Sequence, residues 1–436
     1  MTEPCFLGID LGTSGCRAVA IDDRGNELAS TRTSLPASRR GPDGESEQEP
    51  AAWWQAVAGT VQQLIRILPR HRPAAIAVDG TSATLVLVDE RGNPLTPGLM
   101  YDDQRAGSQA RELEARIDSE LAGAVASPAS SLAKLLWLRD RGLLSPGCRA
   151  LHQSEWITAR LSGRFDLGDE NNALKMGYDP VRGEWPAWME VLGLPAELLP
   201  RILPPGSLIG SIQSSAARQT GLPAGCQVVA GTTDSTAAAL AAGVKRPGEA
   251  VTSLGSTLVT KILLERPLFS RELGVYSHRI LGLWLAGGAS NSGGAVLRQF
   301  FSDMELETLS QGIDPNRGLC LEYYPLPRRG ERFPIRDPRM EPRMQPVPRD
   351  RARFLQALLE GIARVEVLAY RRLEALGAPR PRQVFTSGGG AANETWRRIR
   401  QRMLKVPVIA AGHAEAAFGA ARLARWGWTN GTGVRP

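Results

Sequence analysis

Two aspartates stand where a chain can hold a reaction. Asp10 ends the apolar run Phe6-Leu7-Gly8-Ile9 and leads into Leu11-Gly12-Thr13-Ser14-Gly15, a strand entering a turn of small residues. Backbone N–H groups in such a turn form a concave nest for phosphate oxygens, and a strand-end carboxylate can hold Mg2+ through water. The plain alternative is a hairpin whose aspartate caps local amides. Asp234 follows Gly231-Thr232-Thr233 and opens the alanine-rich stretch Ser235 to Ala242. It reads as a helix N-cap or as a catalytic base. Gly388-Gly389-Gly390, between a strand pattern and a helix pattern, brings backbone close to a nucleotide or to a packed neighbour, and it is not a GxGxxG fingerprint. Gly287-Gly288 and Gly293-Gly294, with Asn291 between them, pose the same choice.

Other chemistries find no residues. The sequence has no GxxxxGK[ST], no GxSxG, no HExxH and no kinase HRD/DFG pair. Its four histidines (His71, His152, His278, His413) lack metal-ligand spacing. Five scattered cysteines without a CxxC pair argue against a disulfide scaffold and for a reducing compartment. The N-terminus has no basic lead into an apolar run, and no apolar stretch is long enough to span a bilayer, so a cytoplasmic protein without a membrane partner is expected. Net charge is +7, but only five of the 52 cations are lysines and the arginines are dispersed among acids. That mixed-sign pattern predicts no nucleic-acid partner.

At 436 residues the chain exceeds what one core supports, and two domains are expected. The elements that must position the candidate groups follow from periodicity. Phe6 to Leu11, Cys16 to Ile21 and Glu27 to Arg32 read as a β-meander. Ala51 to Leu68 repeats at helical spacing. Ala75 to Asp79, Leu85 to Val88 and Pro94-Leu95 read as strands, and residues 106 to 225 as helices alternating with Gly/Pro-rich loops. Gln227 to Ala230 is a strand, Gly231 to Asp234 a turn, and Ser235 to Ala242 a helix. Ala250 to Leu254, Gly255-Ser256-Thr257 and Leu258 to Leu264 repeat the strand–small-residue turn–strand unit of the N-terminus. Phe354 to Leu376, Ala392 to Met403 and Ala414 to Trp426 read as helices, with strands at Gln383 to Ser387 and Val406 to Ile409.

Taken in order, these segments resemble the FGGY family of carbohydrate kinases. "FLGIDLGTSGCRAVAIDDRGNELA" is similar to the family's first phosphate segment and "AIAVDGTSATLVLVDERGNPLTPGLMYDDQRA" to its sugar-gripping strands. "ITARLSGRFDLGDENNALKMGYDP" resembles the stretch ending in its Asn-Ala and Tyr-Asp landmarks, "VVAGTTDSTAAALAAG" the segment of its catalytic aspartate, and "AVTSLGSTLVT" its second phosphate segment. "YYPLPRRGERFPIRDP" and "LLEGIARVE" resemble its second domain, "TSGGGAANETWRRIRQRMLKVPV" its adenosine segment, and "EAAFGAARLARWG" its closing helix. The chain departs from xylulokinases in having Ser82-Ala83 for their usual Met-His pair and Tyr101 for their Trp. In "SSLAKLLWLRDRG" Lys134 and Trp137 fit the family signature, whereas Ala129 and Arg141 do not.

The resemblance implies an α/β, two-domain actin/hexokinase-like (ribonuclease H-like) fold with a central cleft. The sugar-binding and catalytic domain would comprise residues 1–241 and 415–436, and the nucleotide-binding domain residues 242–414. It implies ATP and Mg2+ as cofactors and a small sugar as partner, in a monomer or homodimer. Asp234 would be the base and Asp10 the metal-positioning acid, also near the sugar. Ser14, Gly15, Cys16, Arg17, Ser82, Tyr101 and Asp103 would meet substrate. Thr13, Gly255, Thr257, Gly293, Gly389, Gly390, Ala391, Ala392 and Asn393 would hold nucleotide. The short chain and "DGTSAT" resemble a compact branch acting on D-ribulose. A xylulokinase or other polyol kinase is the nearer alternative, and a non-catalytic actin-like ATP-binding protein the remote one.

Overall fold

The computed structural model describes residues 3–117 and 119–431. Along the chain these form strands β1 (Glu3–Leu11), β2 (Gly15–Ile21) and β3 (Glu27–Ser34), then helix α1 (Pro50–Arg66). Strands β4 (His71–Gly80), β5 (Leu85–Val88) and β6 (Gly98–Leu99) precede helices α2 (Ser131–Asp140) and α3 (Gln153–Ser162). Strands β7 (Leu208–Ser211) and β8 (Gln227–Thr233) lead into α4 (Asp234–Ala242). Next come β9 (Glu249–Leu254), β10 (Leu258–Leu264), β11 (Leu283–Ser290), α5 (Arg351–Ala375), β12 (Gln383–Ser387), α6 (Glu394–Leu404), β13 (Val408–Ala410) and α7 (Ala416–Gly431).

The chain divides into two compact units. The first runs to Ala241, takes in His278–Gly282 and resumes at Glu415, and the second holds Ala242–Ser277 and Leu283–Ala414. Sequence had assigned the short segment 278–282 to the second domain. Its hydrogen bonds explain the difference: Arg279 exchanges N–H and C=O with the Asn171 amide at 2.7 Å each, and its guanidinium donates to Glu170 at 2.6 Å.

In the first unit the sheet order is β7-β8-β4-β1-β2-β3. The meander β1-β2-β3 is antiparallel, while β4 and β8 run parallel to β1 and to each other. Among the strands named above, the second unit has the order β11-β10-β9-β12-β13, which repeats that plan: an antiparallel meander whose first strand, β9, pairs in parallel with β12, which in turn pairs in parallel with β13. This is the ribonuclease H-like, two-fold-repeated α/β architecture expected from sequence. Strands buried on both faces read as unbroken apolar runs, as Phe6 to Ile9 and Ala75 to Val78 do.

Close packing of α7 on the first sheet needs small residues on both sides. A Cβ at Gly8 would lie 2.0 Å from the Ala417 carbonyl oxygen, so only glycine admits the helix there. Trp53 and Trp156, both wholly buried, fill the opposite face in edge-on contact at 6.2 Å. Two local expectations change. The strand anticipated at Pro94-Leu95 is a single bridge from Val88 to Pro94, and the pairing strand forms at Gly98–Leu99, opposite Leu85. Gly231-Thr232-Thr233, anticipated as a turn, continues β8 after a bulge between Val229 and Thr232. Among the described residues no helix is long and apolar enough to cross a membrane.

Candidate active site

Three acids meet at the C-terminal edge of the first sheet. Asp10 on β1 is in register with Asp79 on β4, and Asp79 is in register with Thr232 on β8, two residues before Asp234. Each strand runs apolar until this edge and ends among Asp, Gly and Thr. Sequence reading passed over Asp79, although Val78-Asp79-Gly80-Thr81 repeats the Ile9-Asp10-Leu11-Gly12-Thr13 pattern.

Asp79 is wholly buried and no donor faces either of its oxygens. Burial first, then the charges of Asp10 and Asp234, push its carboxyl well above the ordinary range. Its neighbour Asp10 is also an acceptor, so the contact between them closes only with a proton on Asp79, which then donates to Asp10. Burial holds Asp10 above its usual value too, opposed by that hydrogen bond and by the Arg17 charge. Asp234 is half-buried at the start of α4, and its Oδ1 accepts from the Ser235 N–H at 2.6 Å.

The turn after Asp10 is closed by Gly12 N–H donating to the Gly15 carbonyl at 3.0 Å. The Ser14 carbonyl accepts from Leu35 N–H at 2.9 Å and the Thr13 carbonyl from the Gln48 amide at 2.7 Å. The side chain of Ser14 is exposed, and Thr13 and Gly15 are half-buried. Cys16 departs from expectation: its side chain belongs to the apolar core with Leu11 and Trp53, which leaves only its backbone on the turn. Arg17 sits opposite Asp10 on the neighbouring strand and pairs with Glu415.

A second turn, Thr81 to Thr84, closes through Thr84 N–H to the Thr81 carbonyl at 3.3 Å. Gln153, which the sequence reading missed, takes both the Thr81 N–H (3.1 Å) and the Thr81 hydroxyl (2.9 Å) on its Oε1. At the tip, the Ser82 hydroxyl is buried with no hydrogen-bond partner among the described residues, and Ala83 has φ +69°. Tyr101 is 44% exposed. Asp103 is not: it is 0% exposed, and its carboxylate accepts from Ser46 N–H and Arg105 Nη2, each at 2.8 Å. Asp103, expected at the sugar, holds a loop-fixing ion pair with Arg105, two residues on.

The second unit carries a cavity of about 640 Å³. Gly255, Gly294, Gly389, Gly390, Ala392 and Asn393 line it, with Leu254, Ser310 and Trp396 among their neighbours. Gly294 N–H donates to the Gly255 carbonyl at 2.9 Å and Ala295 N–H to the Ser256 carbonyl at 3.1 Å, so the turns beside Thr257 and Gly293 stack backbone on backbone. Ala391 N–H donates to the Gly388 carbonyl at 3.0 Å, and Asn393 caps α6 by accepting from Trp396 N–H at 2.9 Å. Asn393 also donates to the Ser310 hydroxyl at 2.8 Å.

Behind this rim lies a wholly buried ion pair that no sequence signal announced. Arg400 donates to both oxygens of Glu366 and to the Thr386 hydroxyl, each at 2.7 Å, and the Thr252 hydroxyl donates to Glu366 at 2.5 Å. It ties β9 to β12, the two strands that end in the glycine turns. Glu331, in the segment "GERFP", accepts from the Ser290 hydroxyl at 2.5 Å, Asn291 N–H at 2.7 Å and the Tyr324 hydroxyl at 2.9 Å, fixing the end of β11.

Known proteins share this fold. The N-terminal domain of the FGGY family of carbohydrate kinases matches residues 5–241, and the C-terminal domain of that family residues 250–428. The xylulose kinase of Staphylococcus epidermidis is 24% identical, across 98% of this chain and 88% of its own. The gluconokinase of Bacillus subtilis is 23% identical, across 93% and 83%. The crystal structure of a xyloylose kinase from Brucella ovis superposes with a TM-score of 0.88 at 26% identity, covering 98% of this chain and 91% of that one. With both family domains matched in order over nearly the whole chain, and kinases as its relatives, this chain belongs to the FGGY family of carbohydrate kinases and is an ATP-dependent phosphotransferase acting on a small sugar.

Proposed function

We propose that this kinase phosphorylates the terminal hydroxyl of a ketopentose, D-ribulose, to give D-ribulose 5-phosphate. The observation that carries this reading is the Ser82 hydroxyl, buried and without a partner at the tip of a strained turn. An orphaned buried hydroxyl costs free energy until a ligand completes it. D-ribulose and D-xylulose differ only at carbon 3, so one well-placed hydroxyl suffices to tell them apart. Ser82-Ala83 also removes the bulk and imidazole of the Met-His pair typical of xylulokinases. The relatives named xylulose kinases support D-xylulose as the second reading.

Phosphoryl transfer asks the protein for positioning and charge neutralisation more than for covalent chemistry. Asp234, its Oδ1 oriented by Ser235, accepts the proton of the attacking terminal hydroxyl. An ordinary carboxylate serves, since the proton leaves late in a loose transition state. Ser14, Gly15 and Arg17 border the reacting groups, and Ser82 and Tyr101 bind sugar hydroxyls. Gly255, Thr257, Gly293 and Gly389 through Asn393 hold the nucleotide, with Thr13 on the first phosphate turn. Mg2+ fits the donor set at Asp10, a hard carboxylate oxygen. Among the described residues no group of three or more His, Cys, Asp or Glu side chains is arranged to hold a metal ion, so a cation at Asp10 would take most of its ligands from water and phosphate. When bound it supplies neutralisation of phosphate charge. A protonated Asp79 spares this edge a third negative charge.

The test lies at Ser82. A hydrogen bond available to only one epimer is worth about 1–3 kcal/mol, roughly 5- to 150-fold in specificity. Ser82→Ala should shrink the ratio of kcat/KM between D-ribulose and D-xylulose by about fivefold or more with KM for ATP unchanged. An unaltered ratio would contradict the assignment.

A further inference from the structure

We propose that Lys134 is a positioning residue of the sugar site, clamping together the two backbone segments that present Ser82 and Tyr101. This rests on the reading above that those two residues bind the sugar. Lys134 lies on α2 and its side chain is wholly buried. Its ammonium donates to the Ala83 carbonyl at 2.9 Å and to the Met100 carbonyl at 2.6 Å. The first belongs to the residue after Ser82, the second to the residue before Tyr101. These carbonyls flank the pairing of β5 with β6 at Leu85 and Leu99. One amine therefore sets the spacing between two substrate-facing segments far apart in the chain.

The local backbone needs such a clamp. Ala83 has φ +69°, a conformation natural to glycine and unfavourable for a residue with a Cβ. A strained turn persists only where its surroundings over-determine it. Gln153 fixes the Thr81 end, and Lys134 fixes the carbonyl of the strained residue itself. An ammonium is also an expensive way to fill a core position. Burial drives this amine down to about 7, while the nearby Asp103 and Asp102 charges oppose that fall. A methionine would fill the same volume without that penalty, so what the lysine adds is N–H donors for the two carbonyls it holds.

The experiment uses the full-length enzyme with its best ketose acceptor. Lys134→Met should raise KM for the sugar at least about tenfold and reduce discrimination between carbon-3 epimers, with KM for ATP within about twofold of wild type. A generally weakened fold would move both Michaelis constants and leave the epimer ratio alone. Lys134→Gln, which keeps an N–H donor group on a shorter stem, should fall between Met and wild type. Unchanged sugar KM and epimer ratio in a folded Lys134→Met enzyme would overturn the proposal. Failure of both variants to melt cooperatively would also overturn it, by assigning Lys134 to the core alone. Ser82→Ala and Tyr101→Phe, measured in parallel, separate the two readings: if neither alters sugar KM, the sugar site itself has been misassigned, whatever Lys134 does.

Discussion

Asp234, the proposed base, is already oriented: the Ser235 N–H at the start of its helix donates to its Oδ1 at 2.6 Å. Removing it should leave ATP binding nearly intact and lower sugar-dependent turnover by about 10²–10⁴-fold, the range for loss of a general base. Steady-state kinetics beside an ATP-binding titration check this. Turnover within a few-fold of wild type would remove Asp234 from the role. Single residues were unevenly legible. Asp10 and Asp234 stand at breaks in the hydrophobic pattern, where a strand meets a turn or a helix begins. Asp79 stands at such a break too, but its meaning comes from strand register, since only the pairing of β1 with β4 puts two acids side by side. Cys16 and Asp103 are placed at the substrate by the family resemblance. Their surroundings, a core face for one and an arginine two residues away for the other, are set by packing that no spacing rule specifies.

At the scale of elements, the glycine turns of the second unit are where backbone closeness bears on the proposed nucleotide site. Gly293 has φ +148°, and a Cβ there would lie 2.8 Å from the Ser256 carbonyl oxygen. Gly293→Ala must displace the turn at Ser256-Thr257 or strain its own backbone, a cost on the order of 1–3 kcal/mol. KM for ATP should rise about tenfold with sugar KM unchanged, as measured by varying each substrate at saturation of the other. An unchanged KM for ATP would dissociate this turn from the nucleotide. The meander strands and long helices were readable because their periods are regular and their ends carry Gly, Asn or Asp. The short pairing strand at Gly98–Leu99 was not, because two residues show no period and tertiary pairing alone defines them. The bulge in β8 was misread as a turn for the related reason that Gly-Thr-Thr serves in both.

The whole molecule repeats one topology twice, and that repeat was visible in the chain as two strand–small-residue turn–strand units. The three clustered acids fall on the first unit and the glycine-lined cavity on the second. The buried supports behind them, Glu366 with Arg400, Glu331 with the end of β11, and Lys134 with its two carbonyls, join residues remote in sequence and become visible only once folded. They decide how firmly a site is held. The chemistry they hold in place is a claim about the enzyme as a unit, and its central part is the choice of acceptor. The direct measurement is coupled ADP release by the full-length enzyme, with kcat/KM determined for D-ribulose, D-xylulose, L-ribulose and glycerol under one set of conditions. The account predicts D-ribulose first, at least about tenfold above D-xylulose, in keeping with one hydroxyl read by one buried partner. Equal or higher kcat/KM for D-xylulose would contradict it.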